Sequence, residues 1–370
     1  MTHPDDRPTP TTAPMRSSPD ASESRPRRGV RRPPDELDAA ISALLASLGI
    51  DREPFESRLV AEMVRTAVRL RQDGADAGQL KLVSAAMKEM RHAYRVFGRY
   101  RGVRKISIFG SARTPPDHPD YLAARHFGQA IADAGWMAIT GAGGGIMKAG
   151  HEGPSAEASF GLSIRLPFET NANEVIVGDP KLIVFRYFFT RKLMFLSHAD
   201  AVAVFPGGFG THDELFESLT LVQTGKSPIV PIVLLEGTGG RYWVDWRRYV
   251  DDHLLGNGWI SPEDLGLFHL APTVEDAVAH VLRFYRRFHS YRTVGSRLVL
   301  RLLRPLSPLD LAALNDSFAG LVAEGSMEQG PALPEEEGEF PALPRLWFHH
   351  TRRHFGMLRA LIDRINDAEG

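Results

Sequence analysis

The sequence predicts an α/β protein built around an open parallel sheet that helices cover on both faces. From residue 104 onward, short apolar runs alternate with amphipathic stretches of helical length. Glycine-rich turns at 141–145 and 206–210 follow two of these runs and precede amphipathic stretches. Strands separated by helices form βαβ units, in which the strands are parallel. The predicted fold class is therefore a doubly wound, Rossmann-like sheet with an N-terminal helical layer and a small C-terminal α/β extension.

Composition and hydrophobic periodicity divide the 370 residues into four predicted segments. Residues 1–34 are rich in Pro, Ser, Thr and Arg and hold little that could be buried, which predicts a disordered tail. Residues 35–98 place apolar side chains at i, i+3 and i+4, which predicts helices. Residues 99–290 hold the predicted sheet, and residues 291–370 form the extension.

Each predicted strand is a short, mostly apolar run bounded by turn residues. In the central segment these runs are 105–109, 136–140, 159–164, 201–205 and 228–235. The expected helices are 121–134, a helix from about residue 146, 191–198, 211–224 and 274–288. The very apolar segment 182–189 fits either type of element. In the extension we expect strands at 298–303 and 346–350, helices at 309–322 and 355–365, and a mobile acidic loop at 325–339.

The composition is ordinary for a soluble globular protein and excludes several functional classes. Lys and Arg total 44 and Asp and Glu total 45, and this net charge of −1 argues against nucleic acid or a membrane surface as the main partner. The absence of cysteine excludes disulfides, thiolate metal sites and a cysteine nucleophile. No apolar run reaches the ~18 residues of a membrane span and no signal peptide is evident, so we expect a cytoplasmic protein.

Two glycine-rich loops are the strongest candidates for a binding site. The first contains Gly141, Gly143, Gly144 and Gly145, and the second contains Pro206, Gly207, Gly208, Gly210 and Thr211. Each precedes a predicted helix, where free backbone N–H groups and the helix dipole attract an anion. One loop alone is equally well explained as a tight turn, but two in one sheet favour a phosphorylated ligand.

Three common site types do not fit the sequence. A dinucleotide fingerprint requires glycine where Ile146 stands, and a Walker A motif ending at 225–227 requires glycine where Thr220 stands. Neither NAD binding nor ATP hydrolysis is therefore expected. His350 and His354 have the i, i+4 spacing of metal ligands, but they lack a third ligand and lie beside arginines, so we predict no metal.

Charged residues near the second loop each allow two interpretations. Thr211 and Glu214 have the spacing of a capping box, in which Glu214 would stabilise the helix start. Alternatively, the Glu214 carboxylate orients water or stabilises a developing cation. Arg191 and Lys192 at a predicted helix start oppose the helix dipole, which suits an anion-binding site, although a solvated basic pair is equally consistent.

The segment from Phe189 to Glu214 resembles the Lonely Guy (LOG) family. The motif is an Arg-Lys pair, here at 191–192, upstream of Pro-Gly-Gly-x-Gly-Thr-x-x-Glu, here at 206–214. The loop at 141–147 and the sequence Phe-Gly-Ser-Ala at 109–112 also resemble the family, and the similarity covers about residues 103–285. Many members bear an older description as lysine decarboxylases, but no feature of this sequence suggests a pyridoxal phosphate site.

The resemblance implies a phosphoribohydrolase that cleaves the N-glycosidic bond of a nucleoside 5′-monophosphate, AMP or a cytokinin nucleotide, without a cofactor. It implies that Arg191 and Glu214 are catalytic and that the 206–211 loop holds the phosphate. The other implied substrate-binding residues are Lys192, Gly141, Gly143, Gly144, Gly145, Met147 and Ser111. A carboxylate can stabilise an oxocarbenium-like ribose or orient water, and an arginine can bind phosphate or position the glutamate.

Two other functional classes remain open at this stage. A nucleotide sensor or carrier would need the same glycine loops but not the Glu214 carboxylate. A nucleic-acid-associated regulator would use the arginine cluster of the tail. The family resemblance also implies a homodimer or a higher even oligomer, for which the apolar segment 182–189 is the candidate surface.

Overall fold

The computed structural model describes residues 36–51, 54–165, 172–336 and 338–368. The tail predicted at 1–34 lies outside the described residues. The chain divides into two compact units, with the division after Leu80. The boundaries predicted near residues 98 and 290 stay predictions. None of the described helices combines the length and the apolarity that crossing a membrane requires.

The described part of the first unit is helical. Helix α1 spans Glu36–Ser47 and α2 spans Phe55–Gln72, and α3 (Ala77–Phe97) begins there and continues into the second unit. Arg65 of α2 forms an ion pair with Asp38 of α1 at 2.5 Å. The helices predicted from the apolar spacing are therefore confirmed.

The second unit is built on a sheet of seven parallel strands among the described residues. They are β1 (Lys105–Phe109), β2 (Met137–Thr140), β3 (Ser159–Ile164), β4 (Leu182–Phe185), β5 (Ala201–Val204), β6 (Ile232–Leu234) and β7 (His269–Leu270). Their order is β4-β3-β2-β1-β5-β6-β7, and every neighbouring pair is parallel. Strands β2, β3 and β4 follow one another on one side of β1, and the chain then returns to form β5 on the other side of β1. This return creates a topological switch point between β1 and β5.

Helices cover both faces of this sheet, which confirms the doubly wound fold class. They are α4 (Pro119–Asp133), α5 (Ile146–Glu152), α6 (Phe188–Ser197), α7 (Phe209–Gln223), α8 (Tyr242–Tyr249) with a π-helical continuation Val250–Leu255, and α9 (Val274–Phe284). Strand β1 is buried along its whole length. Ile106 and Ile108 pack in the core that contains α4 and α9, whereas Phe109 packs on the other side with α6. Burial on both faces explains why apolar side chains of β1 lie on either side of the strand, and its buried polar residues, Lys105 and Ser107, donate hydrogen bonds to backbone carbonyls.

The C-terminal extension is a second, antiparallel sheet with two helices. Its elements are β8 (Phe288–Val294), β9 (Arg297–Leu302), α10 (Pro308–Ser317), β10 (Val322–Gly330), β11 (Arg345–His350) and α11 (Phe355–Asp367), with strand order β10-β11-β9-β8. Its core is continuous with the parallel-sheet unit, because Val222 of α7 and Phe284 of α9 pack among its leucines. The predicted α/β extension is therefore confirmed.

Several predicted element bounds are wrong. The helix predicted at 274–288 ends at Phe284, because Phe288 pairs with Leu302 at the start of β8. The helix predicted at 309–322 ends at Ser317. Residues 325–330 of the predicted loop belong to β10, which pairs with β11. The ambiguous segment 182–189 contains all of β4 and the first residues of α6, so neither periodicity describes it alone.

Candidate active site

The switch point opens into a cleft beyond the carboxyl ends of β1 and β5. Its volume is about 530 Å³, and its lining comes from the turn after β1, the first glycine loop, α6 and the start of α7. The two strand ends are joined directly, since the Ser111 N–H donates to the Pro206 carbonyl at 3.0 Å. Open α/β sheets bind their ligands at this position, so the cleft is the candidate active site.

The second glycine loop forms one wall of the cleft. A Cβ at Gly207 would collide with Thr211 Oγ1 and with Ser111 N, so this close backbone approach requires glycine. At Gly208, by contrast, a Cβ would meet no atom within 4 Å, and the residue lines the cleft. Helix α7 begins at Phe209, and the first N–H groups of a helix have no intrahelical partner. This wall can therefore hold an anion.

Buried polar side chains hold the first glycine loop in place. Gly145 has a φ of +58°, and a Cβ there would collide with the Ser111 carbonyl oxygen. Asn173 donates from Nδ2 to the Gly143 carbonyl at 2.9 Å, and Asn173 in turn contacts the fully buried His151. Burial lowers the pKa of His151, so this supporting network is uncharged at neutral pH.

Among the carboxylates that line the cleft, Glu214 has the most strongly shifted pKa. Its Oε2 atom is sealed from solvent and has no hydrogen-bond partner among the described residues. Burial raises the pKa of Glu214 to about 7, although the charges of Lys192 and Arg191 act in the opposite direction. A carboxyl group that exchanges its proton near neutral pH is typical of a general base.

Arg191 approaches the cleft from α6. Its Nε donates to the Leu162 carbonyl at 2.7 Å, and its Nη2 donates to the Gly141 carbonyl at 3.3 Å. The guanidinium also lies over the Phe195 ring, 5.3 Å from its centroid. These contacts fix the orientation of a positive group at the edge of the cleft, where it can interact with an anionic ligand.

The cleft brings together many of the sequence-predicted site residues. Those that line it are Arg191, Glu214, Ser111, Gly141, Met147, Gly208, Gly210 and Thr211. Those that belong to the two loops but not to the lining are Pro206, Gly207, Gly143, Gly144 and Gly145. The catalytic or substrate-binding roles of the residues in both groups stay predictions.

Lys192 lies away from the cleft lining and contacts α7 instead. Its Nζ is 2.8 Å from Asp213 Oδ2 and 2.5 Å from Glu217 Oε2. Burial opposes the charge of Lys192, but its hydrogen bonds to these two carboxylates hold the pKa of Lys192 above its usual value. In this structure Lys192 therefore ties α6 to α7 and acts on Glu214 through its charge.

Two local predictions about these residues are wrong. Helix α7 starts at Phe209 with Gly208 as its N-cap, and no side chain among the described residues caps it. The extended glycine loop lets the helix start before Thr211, so the capping-box interpretation fails and the Glu214 carboxylate faces the cleft. Helix α6 starts at Phe188, so Arg191 and Lys192 do not occupy the helix start.

Sequence reasoning missed several residues that line the cleft or support its loops, among them three aromatic side chains. Phe209 and Phe188 line the cleft with 97% and 57% of their surfaces exposed. Tyr242, at the start of α8, donates from Oη to the Gly207 carbonyl at 2.5 Å and so supports the second loop. Phe209 stands at the variable position of the quoted motif. Tyr242 gave no local signal, because it is 35 residues from its partner.

The cleft therefore combines a helix N-terminus, a fixed guanidinium and a carboxylate that exchanges its proton near pH 7. This arrangement can hold a phosphorylated ligand and stabilise positive charge that develops next to Glu214. In the part of the chain that the structure describes, no group of three His, Cys, Asp or Glu residues could hold a metal ion.

Known proteins resemble this chain over part of its length. Residues 139–281 match a protein family described as "Possible lysine decarboxylase". The chain is similar to the cytokinin riboside 5'-monophosphate phosphoribohydrolase of Mycobacterium tuberculosis, with 32% identity over 166 residues that cover 44% of this chain and 86% of that protein. It is also similar to cytokinin riboside 5'-monophosphate phosphoribohydrolase LOG3 of Arabidopsis thaliana, with 34% identity over 88 residues that cover 24% of this chain and 39% of that protein.

Solved structures resemble the chain over about half of its length. The molybdenum cofactor carrier protein of Chlamydomonas reinhardtii matches with 21% sequence identity and a TM-score of 0.36. The match covers 49% of this chain and 97% of the carrier protein.

Proposed function

The chain belongs to the Lonely Guy (LOG) family, given its 32% identity across 86% of the mycobacterial relative, and on that premise we propose that it hydrolyses the N-glycosidic bond of a nucleoside 5′-monophosphate. The bond between ribose C1′ and the base breaks, and the hydroxyl of water is added to C1′. The proton of that water ends on the base. The products are a free base and ribose 5-phosphate.

The observation that carries this proposal is the state of the Glu214 carboxylate. Its Oε2 is buried without a partner among the described residues, in a cleft that Arg191 also lines. Leaving a buried carboxylate oxygen unsatisfied costs stability, so such a group is typical of a functional site. A site that only bound a phosphate would gain nothing from a negative charge beside it.

The geometry supports a role for each wall in the reaction. The start of α7 would hold the 5′-phosphate, which sets the position of the ribose between the glycine loops. Ionised Glu214 would then stabilise the oxocarbenium-like ribose and accept the proton of the attacking water. Arg191, fixed by the Leu162 carbonyl, would bind an anionic oxygen of the substrate and hold down the pKa of Glu214.

The substrate class that suits the cleft is a purine nucleotide, AMP or a cytokinin-type relative. A volume of about 530 Å³ lies in the range of nucleotide-sized sites. Exposed Phe209 and Phe188 offer aromatic faces on which a base can stack.

Incubation with a panel of nucleotides tests the proposal. The panel contains AMP, GMP, CMP, UMP and N6-isopentenyl-AMP, with adenosine as the control that lacks a phosphate. We expect free base and ribose 5-phosphate from at least one purine monophosphate and none from adenosine, because adenosine cannot occupy the phosphate loop. Tight binding of a nucleotide without release of base from any substrate would contradict hydrolysis and indicate a carrier or a sensor.

A further inference from the structure

The N-terminal end of helix α6, which carries Arg191, is held by a side chain of a different helix. The residue at its own N-cap position, Tyr187, makes no side-chain cap. Instead, Glu89 of α3 accepts a hydrogen bond from the Arg186 backbone N–H at 2.8 Å through Oε1. Its Oε2 accepts a second hydrogen bond from Thr190 Oγ1 at 2.6 Å. A carboxylate at a helix N-terminus is also favoured by the helix dipole.

The other end of α6 is held by the same helix. His198, the C-cap residue of α6, stacks on Phe97 of α3 with ring centroids 4.0 Å apart and an interplanar angle of 14°. Tyr94 of α3 meets the same imidazole edge-on. Glu89 precedes Phe97 by as many residues as Thr190 precedes His198, so the two helices run alongside each other between matched contacts. The position of α6 along its own axis is therefore set by α3.

We propose that Glu89 is a positioning residue for Arg191, acting through the first turn of α6. Thr190 is completely buried and directly precedes Arg191, so a shift of the Thr190 hydroxyl moves the guanidinium. The Arg191 contacts with the Leu162 and Gly141 carbonyls are already 2.7 Å and 3.3 Å long, and a small displacement of α6 breaks the longer one. Helix α3 precedes the residues that match the family, 139–281, so this assignment comes from the structure alone. The role in turnover rests on the proposed function.

Two readouts separate positioning from a merely structural contribution. The first is kcat for AMP, which we expect to fall about 10- to 100-fold in Glu89→Ala, because a displaced catalytic group loses its alignment. The second is the pKa of Glu214, followed by carboxyl-carbon NMR. Arg191 lowers this pKa, as Lys192 does, while Asp213 and Glu217 raise it. Displacing Arg191 alone should therefore shift the titration of Glu214 upward.

The variants form a double-mutant cycle with matched controls. Glu89→Ala and Glu89→Gln are measured with Arg191 intact and with Arg191→Lys, and Thr190→Val removes the partner hydroxyl from the other side. We expect Glu89→Gln to be intermediate, because its amide retains only one accepting oxygen. We expect the Glu89 effects on kcat and on the Glu214 titration to shrink in the Arg191→Lys background. Lys88→Ala, at an exposed position of α3, should leave both readouts unchanged.

Each outcome decides the proposal. Glu89 effects that are equally large in both Arg191 backgrounds would show a general structural role and overturn it. An unchanged kcat and an unchanged Glu214 titration in folded Glu89→Ala would overturn it as well. If Glu89→Ala does not fold, Glu89→Gln and Thr190→Val give the same comparison. A wild type that releases no base contradicts the proposed hydrolysis, but the NMR titration still tests whether Glu89 positions Arg191.

Discussion

At the scale of single residues, the proposed chemistry centres on the Glu214 carboxylate. Its burial and its unsatisfied Oε2 favour the protonated form, whereas Arg191 and Lys192 favour the charged form. The balance places the pKa of Glu214 at about 7, far above the usual value of 4.5 for a glutamate. Burial disfavours ionisation of this carboxylate, and further positive charge beside it would stabilise the ionised form. An oxocarbenium-like ribose supplies that charge only in the transition state.

Replacing Glu214 with Gln should therefore greatly reduce turnover while retaining binding. We expect kcat to fall at least ~10²-fold, because the lost interaction is strongest in the transition state. Nucleotide affinity should change little. In the wild type, kcat/KM should rise with pH through about 7 as Glu214 ionises, and this rise should be absent from the variant. A folded Glu214→Gln protein that hydrolyses AMP at near the wild-type rate would end the catalytic assignment.

The same pKa predicts how stability depends on pH. Between about pH 4.5 and pH 7 the unfolded chain has lost the Glu214 proton, but the folded chain keeps it. The folded state binds more protons there, so Glu214 makes the wild type progressively less stable as pH rises through this window. Glu214→Gln lacks this proton linkage and should gain stability relative to the wild type from pH 4.5 to pH 7. Urea unfolding of both proteins from pH 4 to pH 8 measures the difference, and a constant difference across that range would contradict the raised pKa.

The sequence alone identifies some residues of the candidate site and not others. Arg191 and Glu214 stand in a motif that can be recognised locally, and the structure places both at the cleft. Glu89 and Tyr242 cannot be found this way. Each acts on a backbone group far along the chain, Glu89 on Arg186 and Tyr242 on Gly207, and only the folded chain brings them together.

At the scale of elements, the strand–loop–helix unit from β5 to α7 forms the proposed anion site. Gly208 has an extended backbone with a φ of −88°, which any residue can adopt, and a Cβ there would meet no neighbouring atom. Glycine is therefore not needed at 208 for folding. Because the residue lines the cleft, the absence of a side chain leaves room for a ligand.

Gly208→Val should thus remove nucleotide binding without destabilising the fold. The valine side chain would occupy the space in front of the α7 N-terminus and exclude phosphate. Calorimetric titration with AMP and with sulfate, together with thermal unfolding, measures both effects. Gly102→Val, at another glycine with open space around it, is the matched control and should bind normally. Unchanged AMP or sulfate affinity in Gly208→Val would contradict a phosphate site at this loop.

The elements that the sequence predicts well are those whose burial pattern is simple. Strand β1 is buried on both faces, and three of its five residues are apolar. Strand β10 contains exposed polar residues and only one fully buried side chain, Met327, so its sequence reads as a loop. Charge inside the extension adds to the difficulty. Glu336 is completely buried, and an acidic residue can occupy this position because it pairs with both Arg301 and Arg345. No local sequence pattern indicates these contacts.

At the scale of the whole molecule, the parallel sheet explains why the site lies where it does. Strand order places the carboxyl ends of β1 and β5 side by side, so loops that are far apart in sequence form a single cleft. This location follows from the fold class and could be predicted from alternating strands and helices. Composition and periodicity indicate which side chains are buried. They do not distinguish burial inside one chain from burial against a second copy.

We expect the chain to form a homodimer or a higher even oligomer through the surface around β4 and α6. Strand β4 is an edge of the sheet, and apolar side chains on and after it stay exposed, namely Val184 at 50%, Phe188 at 57%, Phe189 at 52% and Leu193 at 46%. Apolar exposure next to an edge strand is typical of an association surface. Phe188 also lines the cleft, so an interface here would close part of the candidate active site.

Light scattering at micromolar concentration should give at least twice the mass of one chain, and Phe189→Glu should shift the protein toward monomer by placing a charge in the interface. Leu309→Glu, at a residue 81% exposed on α10, is the matched control and should not change the mass. A wild-type monomer under these conditions would refute the expectation, and it would leave the aromatic surface around Phe188 available to the base of the nucleotide.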